Sequence, residues 1–236
     1  MKRVALTFIL GTVILSVSAG CLAVQVPRNI HPVVRSGILE ERDCDHIMVI
    51  RFPVFSDPEL DRLAFWPLKG FVEDFRAVSR LGHDLEPGPI NNLDVWYSVY
   101  WGSPRLVTVV YEIESYAGGA HPSHDLLSVT IDCLRKERIR LADLGLDDPK
   151  SLERMGASAS KKLSRELGDM LEPSMLYRVT EPREDNFRLV APMSDGVYIF
   201  FSRGTVAPYV EGQKRIFIPW SELNGTPAYI TKAAGR

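Results

Sequence analysis

The chain opens with an apolar run from Val4 to Val17, broken only by Thr7, Gly11, Thr12 and Ser16. Beyond it, hydrophobic positions recur with two periods. Ile38 to Phe55 reads as a single extended run, whose β-rich part His46 to Phe52 is stopped by Pro53, and alternation then marks a strand at Leu93, Val95, Tyr97, Val99 and Trp101. After the turn Gly102-Ser103-Pro104 it resumes at Val107, Val109, Tyr111 and Ile113, and again at Leu127, Val129, Ile131 and Cys133. Helical spacing follows Asp57-Pro58, an N-cap residue with proline at the first helical position. It carries Leu60, Leu63 and Ala64, then Leu68, Phe71, Val72, Phe75 and Val78 beyond Pro67, which should break or kink the helix. A second helix is predicted from Pro149 to Leu167, with the stripe Leu152, Met155, Ala159, Leu163 and Leu167 and Gly168 as its C-cap. The last block returns to strands through the hairpin turn Ser194-Asp195-Gly196 and ends at Arg215 to Trp220. These runs predict an α+β fold, an antiparallel sheet packed against two main helices.

The N-terminal run has a different character. Lys2 and Arg3 precede it, and Ser18-Ala19-Gly20-Cys21 follows. A charged start, a short apolar core and small residues define a secretion signal. The run falls short of the ~20 apolar residues that a spanning helix needs. Residues 1–20 are therefore read as a signal peptide. Ala19-Gly20-Cys21 has a lipoprotein ending, with Cys21 as the acylated residue and a membrane held through that N-terminal lipid. Residues 21–36, with Pro27 and Pro32, read as a tether. The expected location is the periplasmic side of the cell envelope. Leu22 stands where an aspartate would favour inner-membrane retention, which points to the outer membrane.

Removing Lys2 and Arg3 leaves 26 basic residues against 30 acidic, a net charge of about −4. That balance argues against nucleic acid. Cys44 and Cys133 remain besides Cys21, and an even pair in an exported chain predicts a disulfide. Neither has the close Cys or His spacing of a zinc site.

Several motifs of the second half stand together: Tyr116-Ala-Gly-Gly-Ala-His121, Leu141-Ala-Asp-Leu144, Phe201 to Gly212 with Ala207-Pro-Tyr209 inside it, and Ile216-Phe-Ile-Pro219. They resemble the RsiV-like C-terminal domain family, a domain of unknown function that binds lysozyme in anti-sigma factors and also occurs in peptidoglycan deacetylases. The resemblance covers residues 93–226, with 37–92 as its strand–helix companion and 37–226 expected as one compact unit. With only Met1-Lys2-Arg3 ahead of the apolar run, no cytoplasmic anti-sigma segment is expected.

The chemistry in the sequence is sparse. Gly118 and Gly119 allow positive φ and close backbone approach. His121 can titrate near neutral pH. Tyr209 sits on a glycine-flanked loop and suits recognition. Tyr116, Gly118, Gly119, His121 and Tyr209 are the candidate ligand-binding residues, if their loops meet at one end of the sheet. The alternative for the glycines and His121 is a purely local role, with the ring bonded to a backbone carbonyl. No catalytic triad, nucleophile elbow, cofactor motif or third metal ligand accompanies them. The expectation is a non-catalytic envelope protein that binds a lysozyme-like protein or wall glycan. The alternative is a hydrolase using His121 with a nearby carboxylate.

Overall fold

The computed structural model describes residues 34–83, 90–118 and 120–233. The expected signal, Cys21, most of the tether and Gly119 lie outside them. Strands β1 (Arg35–Arg42) and β2 (His46–Val54) form an antiparallel hairpin. The single extended run read from Ile38 to Phe55 is thus folded back at Asp43. Its Oδ1 accepts the backbone N–H groups of Asp45 and His46, an Asx-type turn. Pro53 lies inside β2 instead of ending it. Pairing of β2 with its other neighbour stops at Ile50, so the missing N–H breaks no bond on that side.

Helix α1 (Pro58–His83) is entered through Asp57, whose Oδ1 accepts the Glu59 N–H, and it runs unbroken through Pro67. The fully buried Tyr111 hydroxyl donates to the Ala64 carbonyl oxygen at 3.0 Å, beside the turn that the proline weakens. Four further strands follow: β3 (Asn91–Ser103), β4 (Leu106–Tyr116), β5 (Ser123–Asp132) and β6 (Glu137–Ile139). They complete a six-stranded sheet in the order β1-β2-β3-β4-β5-β6. All its pairs are antiparallel except β2 with β3, which α1 joins as a crossover. Leu93, Val95, Val109 and Tyr111 face α1 and bury Leu63, Leu68, Val72 and Phe75.

The second half supplies its own sheet. Helices α2 (Pro149–Leu167) and α3 (Pro173–Thr180) precede β7 (Val190–Pro192), β8 (Gly196–Phe201) and β9 (Lys214–Pro219); α4 (Ala228–Ala233) closes the described chain. Strand order in this sheet is β7-β8-β9. Val197, Ile199 and Phe201 of β8 turn towards the α2 stripe Leu152, Met155 and Leu163. On its other side Phe200 joins Val110 of β4, with Ala191 of β7 between the sheets. The layers therefore run α1, large sheet, small sheet, α2. The α+β class holds, with two sheets sharing the work expected of one. At Gly102 the sheets touch backbone to backbone: a Cβ there would stand 2.2 Å from the Pro192 carbonyl oxygen.

The expected Cys44–Cys133 disulfide does not form; both thiols are free. Cys44 lies in the β1–β2 turn, next to the His46 that pairs with Asn91. Cys133 follows Asp132, which pairs with Leu106 at the opposite end of the sheet. The ten residues of β5 separate those ends. At ~3.3 Å per residue that is roughly 33 Å, whereas a disulfide spans about 4.4–6.8 Å between Cα atoms. Burial instead pushes the Cys133 thiol up to about 11, so it is an inert core group.

Candidate functional site

The small sheet leaves part of the large sheet's outer face open. Strand alternation puts Trp96 of β3 and Glu112 and Glu114 of β4 on that face, and the segment from Arg203 to Gln213 rims it. The result is a groove of about 370 Å³. Trp96 is 41% exposed, with the Arg51 guanidinium 5.3 Å from its ring centroid.

Tyr209 stands beside the groove. Its hydroxyl donates to the Pro122 carbonyl oxygen at 3.3 Å. The His121 and His124 rings lie 6.0 and 5.5 Å from its own, and Arg203 sits 5.2 Å above it. The two loops singled out in the sequence therefore meet, with Tyr209 against His121. Tyr116 ends β4 at the base of the same loop, and Gly118 follows at φ +93°, a conformation that favours glycine. His121 is exposed, and its Nδ1 donates to the Pro122 carbonyl oxygen at 3.0 Å. The histidine with a carboxylate nearby is His124, whose Nε2 lies 3.6 Å from Glu114. Among the described residues no carboxylate pairs with His121.

Two other places compete for attention. A larger cleft of about 690 Å³ runs past Trp66, Arg138, Arg140 and Arg188. Its cations are already occupied: Arg138 covers Trp66 at 5.0 Å, Arg140 pairs with Asp143 and Arg188 with Asp185. Glu41, Asp43 and the fully buried His46 bring potential metal ligand atoms within 4.8 Å of one another. The sequence reading missed this cluster, because β1 and β2 were not separated. Its atoms serve the hairpin: Glu41 takes Arg76 and His46 Nε2, and Asp43 caps the turn. The groove beside Tyr209 also holds polar side chains without partners. Glu112 and Gln213 make no side-chain hydrogen bond or ion pair there.

This is a two-sheet α+β domain with a polar groove and an aromatic rim. Residues 142–221, about a third of the chain, match the model of a family described as "Protein of unknown function (DUF3298)". Peptidoglycan-N-acetylmuramic acid deacetylase PdaC of Bacillus subtilis (strain 168) is 24% identical over 193 residues. That alignment takes in 79% of this chain, which spans 40% of the relative's length. A DUF3298 family protein from Pseudomonas aeruginosa PAO1 superposes with a TM-score of 0.63 at 17% identity, over 86% of this chain and 97% of the other. One from Bacteroides fragilis NCTC 9343 gives 0.54 at 14% identity, over 87% and 99%. These two structural likenesses establish the fold.

Proposed function

We propose that this is an exported envelope protein that binds cell-wall glycan in the groove beside Tyr209. The observation that carries the reading is the groove's make-up. It offers an exposed indole, the unpaired planar polar groups of Glu112 and Gln213, and Arg203 at one rim. Aromatic faces stack on the apolar faces of sugar rings, and fixed polar groups select hydroxyls and amides. The relative named for acting on N-acetylmuramic acid of peptidoglycan agrees with such a ligand. The RsiV-like motifs support a lysozyme-like protein as the competing partner, and the exposed Tyr209 and Val210 would be its contacts. Titration calorimetry with soluble peptidoglycan fragments and, separately, with lysozyme decides between them. The expected result is fragment binding that weakens at least about tenfold in Trp96→Ala and in Tyr209→Ala, as loss of an aromatic anchor commonly does. Binding of lysozyme alone would sink the glycan reading.

The N-terminal segment gives this domain its place. Residues 1–20 act as the export signal, Cys21 takes the lipid, and residues 21–36 tether a single compact unit spanning 37–226. Metabolic labelling with a tagged fatty acid tests it. Label is expected on the wild type and absent from Cys21→Ala, which should be recovered in the soluble fraction. A Cys21→Ala protein still labelled and membrane-bound would contradict the anchor.

A further inference from the structure

Glu112 is the feature that the binding reading leaves unexplained. It borders both the 370 Å³ groove and an adjoining hollow of about 180 Å³ beside Tyr100. None of the nearby cations pairs with it. Lys214 pairs with Glu211 at 3.2 Å, Arg215 donates to the Tyr100 hydroxyl at 3.0 Å, and Arg203 lies on Tyr209. The neighbouring carboxylates have only weak or neutral company: Glu114 is 3.6 Å from His124, and Asp125 accepts from the Ser123 hydroxyl. Glu112 and Glu114 thus share the groove's face with Arg203 at its rim, and Glu112 itself makes no ion pair among the described residues. Such a site is complementary to a ligand that brings its own cation. An acetamido group is neutral and has one N–H. A free sugar amine is protonated near neutral pH and offers three donors from one compact point charge.

We propose that the groove selects hexosamine units whose amine is free, pairing the ammonium with Glu112 while the sugar ring rests on Trp96. The ligand class is de-N-acetylated wall glycan. This rests on the glycan reading given above and goes further by naming the modification that is recognised. The probes are tetra-N-acetylchitotetraose and its fully de-N-acetylated counterpart, titrated calorimetrically against the purified protein. The de-N-acetylated tetramer is expected to bind at least about tenfold more tightly, the scale of one charge-assisted pair. Glu112→Gln should bring that ratio close to one. Glu153→Gln, which removes the same charge from the exposed face of α2, should leave it intact. Equal binding of the two tetramers, or a ratio that Glu153→Gln lowers as much as Glu112→Gln, overturns the amine preference while the glycan groove stands. Binding of neither tetramer overturns both.

Discussion

Asp132→Ala is expected to destabilise the fold by about 3–5 kcal/mol, the scale for stripping one partner from a buried ion pair. Asp132 is fully buried at the end of β5. Its Oδ1 accepts the backbone N–H groups of Leu134 and Arg135, and its Oδ2 accepts from Arg105 at 2.7 Å and from the Tyr229 hydroxyl. One carboxylate therefore closes the turn into β6, holds the β3–β4 corner and fastens α4 to the large sheet. Alanine would leave two N–H donors and a guanidinium without their acceptor. Burial raises the Asp132 pKa, but the Arg105, Tyr229 and backbone bonds outweigh it and hold the group below the ordinary carboxylate range. A lowered folded pKa gives stability that is complete above the unfolded value of about 3.9 and is lost as pH falls through the folded one. Urea denaturation of wild type and Asp132→Asn should therefore differ most near neutrality and converge in acid. An Asp132→Ala protein within 1 kcal/mol of wild type would show that the clasp carries no weight.

Phe187→Ala should cost a similar ~3–5 kcal/mol by a different route, through lost burial and the cavity left behind. The ring is fully buried in the core beneath α2. It lies against Gly156, where a Cβ would stand 3.9 Å from the ring and only 2.2 Å from the Thr180 carbonyl oxygen. Backbone therefore meets backbone between α2 and the end of α3, and Phe187 fills the space beside that contact. Rigid neighbours on both sides leave the site little room to collapse, which puts the cost high in its range. Calorimetric melting checks it. A drop well under 1 kcal/mol would mean that α2 and α3 close over the gap.

Strong periodicity was legible wherever one face of an element is buried. The α2 stripe from Leu152 to Leu167 is buried as read, and Asp148 caps its first turn. The alternation of β3, β4 and β5 identified the face that meets α1. What escaped needed information from elsewhere in the chain. Helix α3 has no fully buried residue, so no stripe marks it. The second sheet had a signal that one-sided alternation hides. In β8, Phe200 between Ile199 and Phe201 makes both faces apolar, as a strand between two layers must be. Counting cysteines could not reveal that Cys44 and Cys133 sit at opposite ends of a sheet. For the site, the loop glycines and aromatics led to Tyr209 and His121. Trp96, Glu112 and Arg203 were not among the candidate ligand-binding residues, because strand alternation alone does not show which part of the outer face the second sheet leaves open.

Ligand is expected beside Trp96 and not in the larger cleft beside Trp66. The chain has four tryptophans, each with its own indole N–H signal in a ¹⁵N spectrum. On titration with soluble peptidoglycan fragments, the Trp96 indole signal should move saturably while those of Trp66 and the buried Trp220 stay in place. A moving Trp66 with a stationary Trp96, or four unmoved indoles at millimolar fragment, would contradict the account.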